Sequence, residues 1–229
     1  MTLIKYVLFI ALAFSGFNCF ALGGDEVRNG GGYIIRCDTN PDGVFINYFV
    51  DYWFGYRTAG VFDRTYLPPA FGSPKERVSL ILNNLAKVYP QKAKVLQGYL
   101  ESFEKDSVFV DDMAEQVTHD VPLKGWPSVN HSCVGQQMIV QSGPYTNVRY
   151  TIYTKLWKTL PTDQKAFAIL HEILLRDYRG RFTTEDAGRR VQTDSWTLAY
   201  WSMNNKSADY LRNRIPDLSV MPEDLVFGD

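Results

Sequence analysis

The first 21 residues carry the longest uninterrupted hydrophobic run in the chain. Nine apolar residues extend from Tyr6 to Phe14, after a single positive charge at Lys5. A membrane-spanning helix needs about 20 predominantly apolar residues, so this run is too short to cross a bilayer comfortably. A cationic start, a short apolar core and a small-x-small sequence ending at Ala21 are typical of a secretory signal. We predict cleavage after Ala21 and export to the periplasm or beyond, with a retained membrane anchor as the alternative.

The pattern that follows alternates between strand and helix periodicity. Residues 22–32 contain five glycines and predict a flexible entry to one domain over residues 33–229. Alternating apolar positions predict strands at Tyr33–Cys37, Val44–Val50, Ser107–Val110, Val134–Val140 and Val148–Leu156. Helical spacing and capping residues predict helices from Pro74 to about Val88, over Pro90–Glu104, from Thr162 to about Tyr178, from Thr183 or Thr184 to about Met203, and from Ser207 to Pro216. The predicted fold is therefore α+β, a small antiparallel sheet packed against several helices.

Composition and charge exclude several classes of protein. The chain has 229 residues, 45% of them hydrophobic, which is enough apolar material to build a core and excludes wholesale disorder. With 24 Lys and Arg against 25 Asp and Glu, the formal net charge is −1. A nucleic-acid-binding surface needs a strong excess of positive charge, so we predict no nucleic-acid partner.

The predicted export determines which cysteines remain in the mature chain and whether they pair. Cleavage after Ala21 would remove Cys19 and leave Cys37 and Cys133, which lie 96 positions apart. Two thiols in an oxidising compartment usually pair. In the chain-entropy description, closing a loop of this length stabilises a fold by about 4–5 kcal/mol. We therefore predict a disulfide between Cys37 and Cys133, with two buried free thiols as the alternative.

A His-Glu pair lies within an apolar helical segment. His171 and Glu172 resemble the first two residues of the HExxH helix of zinc metallopeptidases. In that motif the histidines bind the metal and the glutamate is the general base on the bound water. The resemblance implies His171 as a metal ligand and Glu172 as a catalytic base. However, Leu175 occupies the position of the second histidine and cannot bind zinc, so two further ligands would have to come from elsewhere. The other histidines, His119 and His131, lie at no spacing typical of a metal site, and the carboxylates of Asp177, Glu185 and Asp186 are the other candidates.

A structural interpretation of the same segment competes with the metal site. Glu172 precedes Arg176 by four residues, the favourable order for a helical ion pair. His171 shares a helix face with the apolar residues Phe167, Leu174 and Tyr178, as a core histidine would. Because the metal-binding motif is incomplete, we favour the structural interpretation. We accordingly predict that no cofactor is needed and keep zinc as the alternative.

Five arginines cluster around the end of this helix and the start of the next. They are Arg176, Arg179, Arg181, Arg189 and Arg190. In an exported protein such a cluster could bind an anionic component of the envelope, such as a polymer or a phosphate group. The alternative is that the arginines favour the helix dipole and are neutralised by Glu185 and Asp186 nearby.

Two stretches of the chain resemble a group of uncharacterised exported bacterial proteins. The first is Gly23-Gly-Asp-x-x-x-Asn29-Gly-Gly, which leads into the strand that ends at Cys37. The second comprises Leu160-x-x-Asp163-Gln164-x-Ala166, then His171-Glu172, then Thr184-x-Asp-x-x-x-Arg190. The resemblance implies an exported single-domain protein and identifies no catalytic residue.

Together these observations predict an exported envelope or periplasmic protein with a non-catalytic structural or binding role. The alternative is a zincin-like metal-dependent hydrolase, either intact or degenerate, that uses the His171–Glu172 helix. The sequence leaves open whether the protein is an enzyme.

Overall fold

Residues 32–38, 45–49, 72–111 and 133–221 are the parts of the chain that the computed structural model describes. The predicted signal, most of the glycine-rich entry and both His119 and His131 lie outside these ranges. In the described residues, no helix is both long enough and apolar enough to cross a membrane.

Six strands form two small sheets in the described ranges. They are β1 (Tyr33–Asp38), β2 (Phe45–Phe49), β3 (Ser107–Val110), β4 (Cys133–Gln137), β5 (Ile139–Ser142) and β6 (Arg149–Tyr153). The strand orders are β2-β1-β4 and β3-β6-β5. The pairs β1–β2, β1–β4 and β5–β6 are antiparallel, as predicted.

The strand β3 departs from the predicted antiparallel arrangement because it runs parallel to β6. Hydrogen bonds near both ends of β3 fix this direction. The Tyr150 N–H donates to the carbonyl of Asp106, just before the strand, and the Thr154 hydroxyl donates to the carbonyl of Val110 at its end. The sheet β3-β6-β5 is therefore mixed. The predicted α+β class is confirmed.

Six helices of the described chain complete the fold. They are α1 (Pro74–Leu85), α2 (Pro90–Phe103), α3 (Thr154–Thr159), α4 (Thr162–Arg179), α5 (Thr184–Met203) and α6 (Ala208–Arg214). Three start where the capping residues predicted. Ser73 and Glu76 form a capping box at α1, Thr183 accepts from the Asp186 N–H at α5, and Ser207 accepts from the Tyr210 N–H at α6.

Three predicted boundaries are wrong. The strand predicted over Val134–Val140 breaks at Met138, because the N–H groups of Met138 and Ile139 both turn to the carbonyl of Gly32. The strand predicted to reach Leu156 ends at Tyr153, where α3 begins and brings Leu156 into the core. Thr162 is the first residue of α4 rather than its cap. The preceding proline is extended and its carbonyl accepts the first helical hydrogen bond, from Lys165.

The helix α4 forms the centre of the hydrophobic core. The core joins residues of both sheets to residues of every long helix, for example Ile34 of β1, Ile152 of β6 and Leu170 of α4. Every residue of α4 from Ala166 to Tyr178 is buried. A helix covered all around must satisfy its polar side chains within the protein, because a buried polar group without a partner is costly. The polar residues of α4 therefore define the candidate site.

Candidate functional site

Glu172 lies in the middle of α4 and is fully buried. Its carboxylate oxygen Oε1 accepts a hydrogen bond from the backbone N–H of Gly32 at 2.6 Å. Its other oxygen, Oε2, accepts from the side-chain amide of Gln141 at 2.7 Å. Charge-assisted hydrogen bonds of this length are among the stronger ones in proteins. The carboxylate thus joins α4 to the start of β1 and to β5, which belong to different sheets.

Gln141 connects this carboxylate to an arginine. Its amide nitrogen also donates to the backbone carbonyl of Glu172 at 2.7 Å, and its amide oxygen accepts from Arg179 at 3.3 Å. Gln141 is itself fully buried. A positive guanidinium, a neutral amide and a negative carboxylate are therefore arranged in one hydrogen-bonded line. This line partly compensates the buried charge of Glu172.

Two arginines of α4 hold the turn between β5 and β6. Arg179 donates to the carbonyl of Gly143 at 2.8 Å, and Arg176 donates through Nε to the carbonyl of Tyr145 at 2.8 Å. Gly143 has a φ of 82°, and a Cβ placed on it would come within 2.6 Å of the carbonyl oxygen of Asn147. The turn consequently requires glycine at this position.

Arg176 also reaches the junction between α2 and β3. Its NH1 group lies 3.3 Å from the Asp106 carboxylate and 3.2 Å from the Ser102 hydroxyl. Its guanidinium stacks on the ring of Tyr99, with 4.3 Å between the guanidinium carbon and the ring centre. The sequence predicted an ion pair between Arg176 and Glu172, four residues apart. It did not predict the ion pair between Arg176 and Asp106, because residues so distant in sequence leave no local signal.

A second buried ionic group lies near the end of α4. The Lys92 ammonium lies 2.8 and 2.9 Å from the two oxygens of Asp177, and Arg181 contacts the same carboxylate at 2.7 Å. All three side chains are almost completely buried. Burial lowers the pKa of Lys92, while the neighbouring Asp177 carboxylate opposes that shift. The carboxylate of Asp177 is thus fully engaged by cations and is not available to a metal.

The following helix adds a titratable contact. The Tyr178 hydroxyl donates to the Asp194 carboxylate at 2.7 Å. Burial raises the pKa of Asp194 to about 6, against the opposing effects of the Tyr178 hydrogen bond and of Arg190. Burial and the Asp194 charge together raise the pKa of Tyr178 well above its ordinary value. Burial therefore moves the pKa of Asp194 toward neutral pH, a shift that the sequence did not indicate.

The four predicted binding arginines whose side chains are described fall into two pairs. Arg176 and Arg179 meet at one turn, and Arg181 and Arg190 both contact Asp217 and Phe182. Arg176 and Arg179 hold the β5–β6 turn, and Arg181 binds Asp177 and the carbonyl of Asp217. Arg190, whose side chain is 45% exposed, pairs with the Asp217 carboxylate and lies over the ring of Phe182. Arg189 belongs to α5, and its side chain lies outside the described part of the structure. Three of the five arginines therefore brace the fold.

The described residues do not fit a zinc site at the His-Glu pair. His171 is buried, and Leu175, at the position of the second histidine, is buried in the core. Among the described residues, no group of three or more His, Cys, Asp or Glu side chains could hold a metal ion. A zinc site would therefore need ligands from outside these ranges, where His119 and His131 lie.

Sequence reasoning singled out Glu172 and Arg176 but missed most of their partners. Gln141, which binds Glu172, is a polar residue at a position whose periodicity faces the core, and this is the signal that could have marked it. The same signal marks Lys92, the partner of Asp177. Gly32 contributes only a backbone N–H, for which no sequence signal exists. Comparisons of the chain with protein-family models, curated proteins and solved structures find no match.

Proposed function

We propose that the protein is an exported envelope protein with a non-catalytic structural or binding role, in which the His171–Glu172 helix braces the fold. The observation that carries this proposal is the state of the Glu172 carboxylate. It is fully buried, and each of its oxygens accepts a hydrogen bond from a buried donor. A general base must instead reach a water molecule at an open metal position. The geometry therefore favours bracing over catalysis.

Export is the part of the proposal that rests on sequence. The cationic start, the apolar run Tyr6–Phe14 and the small residues before position 22 support it. The test is a fusion of residues 1–30 to a reporter that is active only after export. We expect export and removal of the first 21 residues. A reporter retained in the cytoplasm would contradict this part of the proposal.

For a binding role, the favoured partner is an anionic envelope component. Of the four predicted arginines whose side chains are described, Arg190 has the greatest exposure. The test compares retention on vesicles containing anionic phospholipid for the wild type and Arg190→Gln, with Lys155→Gln as the control at an exposed cation. Equal retention of all three proteins would exclude Arg190 as the contact.

The catalytic alternative is tested by metal content. Zinc is measured in the purified wild type and in His171→Ala, with unfolding temperature as a parallel readout. We expect no stoichiometric zinc in either protein and a lower unfolding temperature for His171→Ala, because that substitution leaves a cavity in the core. Stoichiometric zinc that His171→Ala loses while keeping its fold would overturn the bracing role and establish the metal site.

A further inference from the structure

The pairing of β1 with β4 brings two cysteines to the same position of the ladder. The antiparallel register runs from Tyr33 opposite Gln137 to Cys37 opposite Cys133. Residues directly opposite each other in such a ladder have Cα atoms about 4.5–5.5 Å apart. Disulfides join residues whose Cα atoms are about 4.4–6.8 Å apart. The backbone alone therefore places the two cysteines at bonding distance, although 96 positions separate them in the chain.

The same register determines where Gly32 lies. Gly32 precedes β1 directly, and its carbonyl accepts from the N–H groups of Met138 and Ile139 at 2.8 and 3.1 Å. Its own N–H donates to Glu172. A slip of β1 by one residue would reverse which face each residue presents and would move this N–H away from the carboxylate. The register of β1 on β4 thus sets the geometry of the Glu172 contact.

We propose that Cys37 and Cys133 form a cross-strand disulfide that fixes this register and so holds the Gly32 N–H on Glu172. The bond closes one end of the β1–β4 ladder, and the Gly32 carbonyl contacts close the other. The disulfide rests on the proposed function in one respect, because export would bring the protein to an oxidising compartment. The pairing itself follows from the backbone register.

The bond forms by exchange with an oxidised disulfide donor, either a small molecule or a protein. One cysteine thiolate attacks the donor and forms a mixed disulfide, which releases one donor thiol. The second cysteine then attacks that mixed disulfide and releases the other donor thiol. Two thiol protons leave the protein, two electrons pass to the donor, and one S–S bond replaces another.

The pairing is tested on the full chain, purified and equilibrated with oxidised glutathione. Free thiols are blocked by alkylation, and peptides are mapped by mass spectrometry without reduction. The control is Cys19→Ser, which removes the third cysteine but leaves the proposed pair. We expect a Cys37–Cys133 linked peptide in both proteins. Full alkylation of both cysteines, or linkage of either one to Cys19, would overturn the pairing.

The register role needs a separate readout. The oxidised protein is compared with the double variant Cys37→Ser/Cys133→Ser in thermal unfolding and in hydrogen exchange. We expect the unfolding temperature of the variant to fall by on the order of 10 °C. We also expect faster exchange at the Gly32 amide, with exchange in α1 accelerated far less. A fall in unfolding temperature with unchanged relative exchange at Gly32 would refute the register role.

These outcomes are independent of the metal measurement. Zinc at His171 would overturn the bracing function and leave the linked peptide unaffected. An absent linked peptide would overturn the disulfide and leave the Glu172 hydrogen bonds as they are.

Discussion

Substituting Glu172 with glutamine isolates the contribution of its carboxylate. In the described part of the chain, two donors point at this carboxylate, the backbone N–H of Gly32 and the amide of Gln141. A glutamine side chain offers one acceptor oxygen and one NH2 group, so one of the two donors must face another donor. The substitution keeps the volume of the side chain, so no cavity contributes to its effect.

The size of the effect follows from the burial of the site. An unsatisfied buried donor costs about 1–3 kcal/mol, and the remaining hydrogen bond loses its charge assistance, worth about 1 kcal/mol. Removing a buried charge offsets part of this cost. We therefore expect Glu172→Gln to lower the free energy of unfolding by about 2 kcal/mol. For a chain of this length the unfolding temperature would fall by about 4–8 °C.

The assay is urea unfolding followed by tryptophan fluorescence, with near-ultraviolet circular dichroism as a second probe. Glu101→Gln, at an exposed position of α2, is the matched control for the loss of a negative charge. Its free energy of unfolding should change by less than about 0.5 kcal/mol. If Glu172→Gln stays within that range at an unchanged urea slope, Glu172 does not brace the fold and the reasoning fails.

A reciprocal exchange tests whether Gln141 is the partner. Gln141→Glu alone places two carboxylates together in the core and should destabilise the protein strongly. Combining it with Glu172→Gln restores one amide and one carboxylate, and places the new carboxylate beside Arg179. We expect the loss of unfolding free energy in the double variant to be smaller than the sum of the losses in the two single variants by about 1–3 kcal/mol. Additive effects would show that the two side chains do not interact.

Three further predictions concern the other polar groups. Lys92→Met leaves the buried Asp177 with one cation fewer and should cost about 3 kcal/mol, part of which Asp177→Asn in the same chain should restore. The pKa of Asp194 in the folded protein is raised to about 6. Its protonated form therefore stabilises the fold, and this stabilisation is lost as the pH rises from about 4 through 6. The stability of the wild type relative to Asp194→Asn should therefore fall over that range, by at most about 3 kcal/mol, in urea unfolding at each pH. Arg176→Lys cannot keep both the stacking and the forked hydrogen bonds and should cost about 1–3 kcal/mol, against less than about 0.5 kcal/mol for the exposed Arg212→Lys.

Each of these predictions has an outcome that contradicts it. Equal losses in the Lys92→Met single and double variants would show that the unpaired charge of Asp177 is not the cause. A pH-independent difference for Asp194→Asn would mean that another group titrates. Equal losses of unfolding free energy in Arg176→Lys and Arg212→Lys would show that Arg176 stabilises the fold no more than an exposed arginine does.

Local features of the sequence were sufficient for most of the elements. Proline at the first helical turn predicted the start of α1, and hydroxyl side chains marked the caps Thr183 and Ser207. These signals are reliable because a helix end must satisfy its backbone N–H groups with residues close in sequence. The boundaries that failed, at Met138 and Tyr153, are decided by distant partners, the Gly32 carbonyl and the packing of α3.

The sequence by itself determined that α4 is a largely apolar helix with Glu172 in its middle. It also limited Glu172 to two roles, a catalytic base or a structural group. Only the tertiary structure decided what contacts that acid. The Gly32 N–H is 140 positions from Glu172 and the Gln141 amide is 31 positions away. Periodicity shows which side of a helix faces the core, but partners are set by how the chain packs. A buried charge is stable only where that packing brings donors to it.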